Sequence, residues 1–171
     1  FNTISAQALR ARTYLYMGRW SDALEASKDV LSVYNELEDM NNSTTLPNSY
    51  KSKESIVALE RFSSNLYTAV DMPASEFISL YRSGDQRRTK YFKRVTSSTY
   101  SLLKGRNDEF SCSFRTAEFY LTAAEAAARL GHTTDAINYL TPLMAKRLNT
   151  SAYQTTTALI GTMTEEELIQ E

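Results

Sequence analysis

The residue types that most often carry catalytic or metal chemistry are scarce in this sequence. It holds one histidine, His132, and one cysteine, Cys112. Single copies cannot form a His/Cys cluster, and no HExxH pattern, CxxC pattern or glycine-rich phosphate loop occurs. We therefore expect no cofactor and no metal site. His132 is expected in a structural or solvent-exposed role, and Cys112 as an inert thiol.

Two carboxylates could suggest glycoside hydrolysis. Glu118 and Glu125 lie seven residues apart, on one face of an otherwise apolar helical pattern. Two helical turns separate them by about 10 Å along the axis, and hydrolysis would need both to face each other across an open cleft. Ion pairing with Arg115 or Arg129 is the interpretation that we favour. The sequence thus predicts a protein that is not an enzyme.

The better candidates for chemistry are aromatic and amide side chains in polar segments. Sugar rings present apolar C–H faces that stack on aromatic rings, and their hydroxyls need amides or carboxylates at the edge. Phe62, Asn65, Tyr67 and Tyr100 provide that mixture and are our predicted ligand-binding residues. Trp20 is expected instead to pack at the core or rim of a helical hairpin.

Charge and hydropathy narrow the class of partner. Nineteen Lys and Arg against twenty Asp and Glu leave a net charge of −1, so nucleic acid is not expected, and neutral partners such as sugars or proteins fit best. No apolar run is long enough to cross a membrane. Because the chain begins at Phe1 near one helical pattern and stops inside another, we expect a fragment whose targeting elements lie elsewhere.

The elements that must position these residues begin with an internal repeat. Residues 15–24 and 128–137 match each other, and superposing them aligns two copies of an Ala-x6-Gly-x4-Ala spacing: Ala11, Gly18, Ala23 and then Ala124, Gly131, Ala136. Alanine lets two helices approach closely, and glycine closes the end of the first helix. This spacing is typical of tetratricopeptide-type helical hairpins, which are scaffolds more often than catalysts.

Hydrophobic periodicity extends each repeat into a pair of helices. We predict helices over 3–17, 21–37, 114–130 and 134–147, the first buried on two sides through Ala11 and its neighbours and through Leu9 with Tyr16. The third should be sandwiched between neighbours, and Pro142 should bend the fourth. Thr164 and Glu167 have the spacing of a capping box, which starts a further helix.

The segment between the hairpins, about 38–113, has another character. Residues 40–49 form a loop of turn formers, and 55–59 form a β-branched strand. Its partner could be 91–95, 100–103 or 110–114, and the pattern does not choose between them. Pro73 or Ser75 opens a short helix that ends near Gly84.

Several segments in order resemble the SusD/RagB family, the surface lipoproteins of Bacteroidetes that capture glycans. They are the hairpin at 8–26, the strand at 54–60, the Asp-x-Arg segment at 85–88 with Tyr91 and Phe92, the helix at 114–126 and the basic pair at 146–147. The helix is the most specific of these. Val57 replaces the family's usual phenylalanine, and Pro142 stands in place of the usual asparagine-bearing helix.

This resemblance implies a mainly α, tetratricopeptide-like fold with long loops and minor β structure, with residues 1–171 as one domain fragment. It also implies a non-enzymatic protein at the outer-membrane surface, attached by a lipid anchor outside these residues. Such a protein would bind oligosaccharides or polysaccharides and deliver them to a TonB-dependent, SusC-like transporter. The alternative is a tetratricopeptide-like scaffold that binds a peptide or protein in a concave face between the hairpins.

Overall fold

The computed structural model describes residues 2–60, 73–104 and 110–170. These residues form helices for the most part, which confirms the mainly α prediction. The helices are α1 Thr3–Tyr16, α2 Trp20–Leu31, α3 Ser75–Ser79, α4 Gln86–Tyr91, α5 Thr116–Arg129, α6 Thr133–Arg147, α7 Thr150–Ile160 and α8 Glu165–Gln170. The strands are β1 Ser55–Glu60, β2 Phe92–Arg94, β3 Tyr100–Leu102 and β4 Phe110–Arg115.

The two repeats form the predicted hairpins α1–α2 and α5–α6, and both turns close in the same way. Gly18 and Gly131 have φ of 69° and 77°, in the left-handed region that glycine adopts without strain. The next residue donates its N–H five positions back, from Arg19 to the Tyr14 carbonyl and from His132 to the Ala127 carbonyl, each at 2.9 Å. These paired bonds satisfy carbonyls that a helix end leaves free.

Alanines fill the space where the hairpin helices cross, as predicted. Ala11 and Ala23 are fully buried, and Ala124 and Ala136 are 4% and 1% exposed. The helices pack in the order α1, α2, α5, α6, so α5 lies between α2 and α6 and is sandwiched as expected. Phe119 and Ala123, both fully buried, lie at the centre of this layer.

The outer helix of the layer differs from the prediction. Leu9 and Tyr16 on α1 are 50% and 84% exposed, so the expected second buried stripe is wrong. The reason is that α1 packs mainly against α2, with a smaller contact to α5, so the face that carries Leu9 and Tyr16 stays at the surface. Amphipathic periodicity identifies an apolar stripe but not the neighbour that would cover it.

Helix α2 is shorter than predicted, whereas α6 keeps its predicted range. Helix α2 ends at Leu31 rather than near 37; Tyr34 still donates to the Val30 carbonyl at 2.9 Å before the chain becomes irregular. Helix α6 continues through Pro142 to Arg147. The Thr141 hydroxyl donates to the Ile137 carbonyl at 2.7 Å in the turn that precedes the proline.

Strand pairing resolves the open alternatives between the hairpins. β1 pairs with β4 in an antiparallel sheet, with a bulge near Val57, so the mate of the first strand is the segment 110–115. The other two candidates pair with each other, as the antiparallel hairpin β2–β3.

Helix α8 begins with the predicted capping box, since the Thr164 N–H donates to Glu167 Oε2 at 2.7 Å. Helices α4 and α7 were not predicted.

Candidate functional site

A buried ion pair joins the segment between the hairpins to helix α6. Arg147, 5% exposed, donates to Glu54, whose side chain is fully buried just before β1. The same Glu54 oxygen accepts the Glu38 N–H at 2.8 Å, and Arg147 also donates to the Glu38 carbonyl at 2.7 Å. Both residues belong to motifs singled out in the sequence. Their pairing fixes the loop after α2, the first strand and the end of α6 in one place.

A second polar connection holds the start of α4 against the junction of α6 and α7. The Asn149 N–H donates to the Gly84 carbonyl at 2.9 Å, and Asp85 forms a β-bridge with Leu148. Gly84 has φ of 86°, and a Cβ there would lie 2.7 Å from the Ala152 Cβ. Only glycine therefore satisfies both the backbone conformation and the close approach.

Asp85 is held at this junction by its own helix. It caps α4 by accepting the Arg87 N–H at 2.8 Å, and it receives a bidentate bond from the Arg87 guanidinium, at 3.0 Å to Oδ1 and 2.6 Å to Oδ2. Burial lowers the pKa of Arg87, but the hydrogen bonds and charge of Asp85 outweigh it and hold that pKa above its ordinary value. The negative charge of Asp85 is thus balanced by the Arg87 guanidinium, and this carboxylate has a structural role.

Aromatic rings form a small core beneath α4 and the β2–β3 hairpin. Phe92 lies edge-on to Phe77 and to Tyr81, with ring centroids 6.1 and 5.4 Å apart. Burial raises the pKa of the neighbouring Tyr91, which is only 5% exposed. Tyr100 packs against the same cluster while part of its side chain stays at the surface. The packing of these rings therefore supports the protein surface formed by α4 and the β2–β3 hairpin.

That surface contains an open pocket of about 570 Å³ where α4, the β2–β3 hairpin and the start of α7 meet. Its walls combine two aromatic rings, two amides, two guanidinium groups and two aliphatic hydroxyls. The residues that supply them are Phe92, Tyr100, Gln86, Asn149, Arg88, Arg94, Ser83 and Thr89. Flat apolar surface beside many hydrogen-bond donors is the combination that polyhydroxylated ligands require.

A second cavity, of about 140 Å³, lies between α5, α6 and α7. Leucine, methionine and isoleucine side chains such as Leu143, Met144 and Ile160 make up much of its wall, together with the buried Arg147. Its volume is below the range of about 300–1,000 Å³ that small-molecule sites usually have. The larger pocket is therefore the stronger candidate for a ligand site.

The predicted binding residues divide between this pocket and a segment outside the described residues. Tyr100 lines the pocket. Phe62, Asn65 and Tyr67 lie in 61–72, outside the described residues, so their role stays a prediction, as does that of Tyr100. Sequence reasoning missed the contributions of Arg88 and Asn149. The Asp-Gln-Arg-Arg run at 85–88 was a usable signal for Arg88, whereas nothing local relates Asn149 to Tyr100.

The two glutamates considered for catalysis are engaged in ion pairs. Glu118 receives a bidentate bond from Arg12 of α1, at 2.6 and 2.7 Å, rather than from Arg115 or Arg129. Glu125 pairs with Arg129 at 2.8 Å, as predicted. His132 is exposed at the start of α6. Within 2–60, 73–104 and 110–170, no group of three or more His, Cys, Asp or Glu side chains could hold a metal ion.

Two other expectations concern packing and membranes. Trp20 is partly buried against the main core, with the Arg129 guanidinium 4.5 Å from its ring centroid, so its predicted packing role is confirmed. Among the described helices, none is long and apolar enough to cross a membrane.

Comparison with known proteins identifies the family that has this fold. The sequence profile of the SusD family matches residues 11–171. The chain belongs to the SusD family. The predicted resemblance is therefore confirmed, and with it the tetratricopeptide-like helical fold. No curated protein sequence matches this SusD-family chain.

Solved structures agree with that assignment. The chain is similar to a SusD-like carbohydrate binding protein from Bacteroides vulgatus, at 20% identity and a TM-score of 0.72, covering 99% of this chain and 40% of that one. It is also similar to a SusD superfamily protein from Bacteroides thetaiotaomicron, at 22% identity and a TM-score of 0.75, covering 94% of this chain and 44% of that one. A third similar structure is surface glycan-binding protein A from Bacteroides uniformis, at 17% identity and a TM-score of 0.57, covering 96% of this chain and 48% of that one. The chain thus spans less than half of each, and these likenesses establish the fold.

Proposed function

We propose that this SusD-family chain belongs to a non-enzymatic protein that binds glycans, and that the pocket beside Tyr100 contacts the sugar. The observation that carries the proposal is the pocket wall, where the partly exposed ring of Tyr100 lies beside the amides of Gln86 and Asn149. Rings can stack on the apolar faces of sugars while amides bond their hydroxyls. Two of the similar solved structures are described as carbohydrate-binding or glycan-binding proteins, which supports the same function.

Isothermal titration calorimetry against a panel of polysaccharides tests this proposal. The full chain should bind at least one glycan, and Tyr100→Ala should weaken that binding about tenfold, as expected for a central aromatic contact. Tyr16→Ala is the matched control, because Tyr16 is 84% exposed on α1, outside the pocket. Absence of binding to every glycan, or equal losses in the two variants, would refute the assignment.

The segment 61–72 is a second part of the proposal. Phe62, Asn65 and Tyr67 follow strand β1 in the sequence, and we propose that they add contacts to the same ligand. Alanine variants of these three residues should each reduce affinity for the glycan that the parent chain binds. Retention of full affinity by all three would restrict the site to the pocket.

We further propose that the protein acts at the outer-membrane surface, held by a lipid anchor outside these residues, and delivers glycan to a TonB-dependent transporter. The hairpin layer would provide the rigid face toward that partner. Its outer helix carries the exposed side chains Leu9 and Tyr16, which suits a protein contact. Surface labelling of intact cells and co-purification with a transporter from solubilised outer membranes test these points. A protein that is protected from labelling and purifies alone would contradict both.

Residues 1–171 are proposed to act as one domain, with hairpins near 3–37 and 114–147 and the insertion 38–113 packed against them. The contacts between Glu54 and Arg147 and between Gly84 and Asn149 support this arrangement. A single cooperative unfolding transition, seen alike by circular dichroism and tryptophan fluorescence, is the expected result. Two separated transitions would argue for independent units.

The peptide-scaffold alternative has less support. It needs an open groove between the hairpins, but α2 and α5 pack directly on each other through buried side chains that include Ala26 and Ala127. Glycan binding is therefore the function that we propose.

A further inference from the structure

The charge around the pocket differs from that of the chain as a whole. Residues 82–94 contain six Lys or Arg and a single acidic residue, Asp85, whereas the whole chain has a net charge of −1. Positive charge is thus concentrated in the segment that builds α4 and β2, beside the pocket. A local field of this kind attracts anionic ligands even when the protein is close to neutral.

The one carboxylate among the described residues that line the pocket is already neutralised. Asp85 is 3% exposed and takes a bidentate bond from Arg87. Its charge therefore does little to offset Arg88 and Arg94, which also line the pocket. Two guanidinium groups are left facing a cavity of about 570 Å³.

These two guanidinium groups differ in how they are held. Arg94 donates from Nε to the Thr96 carbonyl at 3.0 Å and from Nη2 to the Ser97 carbonyl at 2.9 Å. Carbonyl acceptors fix its position without cancelling its charge, and a guanidinium has five N–H donors, so donors remain for a ligand. Arg88 is exposed, and its side chain pairs with no carboxylate of the described residues.

We propose that the pocket selects glycans that carry anionic groups, either uronic-acid carboxylates or sulfate esters. The inference rests on the proposed function, because it specifies which sugars the same pocket prefers. Tyr100 supplies the stacking surface common to any sugar, and Arg88 and Arg94 supply the charge-assisted bonds that an acidic sugar adds. Neutral glycans receive only the first set of contacts.

Matched pairs of ligands test this selectivity with the full chain. Oligogalacturonate is compared with its methyl ester, and dextran sulfate with dextran, by calorimetry. Binding of the acidic member should be about tenfold tighter or more, as expected from a single charge-assisted hydrogen bond. That preference should shrink as salt rises from about 0.05 to about 0.5 M. The pair that shows the preference distinguishes carboxylate from sulfate.

Charge-removing variants assign the preference to the pocket. Arg88→Gln and Arg94→Gln should each lower the ratio of acidic to neutral affinity by about tenfold. Lys28→Gln removes the same charge from an exposed position of α2, outside the pocket, and should leave the ratio unchanged. Arg88 is the cleaner test, because Arg94 also holds the β2–β3 turn.

The outcomes separate this inference from the function on which it rests. Equal affinity for acidic and neutral members overturns the inference and leaves glycan binding intact. Acidic preference that Lys28→Gln reduces as much as Arg88→Gln also overturns it, because the attraction would then be general. Failure to bind any saccharide overturns both.

Discussion

The hairpin layer and the pocket region of this protein are held together by different forces. In the hairpins, α1, α2, α5 and α6 pack mainly through buried apolar side chains, among them alanines such as Ala23 and Ala123. Around the pocket and at the nearby end of α6, the aromatic core is joined by ion pairs and hydrogen bonds between residues far apart in sequence, such as Glu54 with Arg147 and Gly84 with Asn149.

This difference predicts how each region responds to change. Apolar packing has no direction, so its cost follows the volume that is added or removed. A buried polar connection depends on both partners, and loss of one leaves the other desolvated without compensation. We therefore expect substitutions in the hairpin layer to lower stability in proportion to the change in side-chain volume. In the pocket region, large losses of stability should be confined to the few residues that form buried polar connections.

Loss of Arg147 should have the largest effect. Arg147→Met leaves the fully buried Glu54 carboxylate without its partner, which we expect to lower the free energy of unfolding by about 3–5 kcal/mol. Urea denaturation measures this change.

The neighbouring residue is the control for that experiment. Lys146 is 42% exposed and makes only a 3.5 Å contact with Asp39, so Lys146→Met should cost less than about 1 kcal/mol. The double variant Glu54→Gln/Arg147→Met should recover part of the loss, because it removes both charges. Similar costs at 146 and 147 would mean that the pair is not a structural connection.

Gly84→Ala tests whether the pocket region tolerates a side chain where its backbone approaches α7. Strain at a φ of 86° and a Cβ placed 2.7 Å from the Ala152 Cβ should together reduce stability by on the order of 2–4 kcal/mol. Gly18→Ala has similar strain, but the nearest atom, on Trp20, lies at 3.5 Å; its cost should stay near 1–2 kcal/mol, by order of magnitude. Thermal unfolding of both variants measures the difference, and equal losses would rule out the close approach as the cause.

Overpacking tests the hairpin layer itself. Ala123 is fully buried in α5, and Ala123→Leu should destabilise the protein by about 1–3 kcal/mol because the added carbons displace neighbouring helices. Ala6→Leu makes the same change at an exposed position of α1, where an effect within about 0.5 kcal/mol is expected. If chemical denaturation gave the same cost at both positions, alanine would not be needed for packing in α5.

The smallest predicted effect is a pH dependence in the loop beside α6. Partial burial raises the pKa of the Asp39 carboxyl, but hydrogen bonds from Asn41 and Asn42 and the charge of Lys146 outweigh it and hold that pKa below 3.8, its ordinary value. A lowered pKa stabilises the folded state above pH 3.8, and this contribution is lost as the pH falls through the folded-state value.

Asp39→Asn measures that contribution. Because the Asp39 side chain is 27% exposed and its contact with Lys146 is long, at 3.5 Å, the variant should be less stable at neutral pH by no more than about 1 kcal/mol. The gap between the two proteins should close in acid, below the folded-state pKa. Asp29→Asn makes the same substitution at an exposed position of α2. A gap that persists unchanged in acid would contradict the assignment to the Asp39 carboxylate.

Much of the helical layer could be predicted because its signals are local. The Ala-x6-Gly-x4-Ala spacing identified both hairpins, and the glycine closures of Gly18 and Gly131 occur where expected. The strand at 55–60 and the capping box at Thr164 were likewise predictable from neighbouring residues. The family resemblance used the same local patterns.

The pocket was predicted only through Tyr100. Its other walls come from α4 with the residues before it, from β2, and from Asn149, the residue that precedes α7. Sequence reasoning did not identify α4 or α7, and Asn149 reaches the pocket through its contact with Gly84. The exposed face of α1 was missed for a related reason. Periodicity marks an apolar stripe, but only the packing arrangement determines whether a neighbour covers Leu9 and Tyr16.

The sequence alone determined the helical hairpins, their glycine turns, the alanine crossings and the family, because each depends on residue types within a few turns of one another. The tertiary structure decided which strand pairs with β1, which carboxylate meets Arg147, and that Tyr100, Arg88 and Asn149 surround one pocket. These features arise from contacts between distant segments. Such contacts depend on the geometry of the whole packed chain, and a local pattern does not specify them.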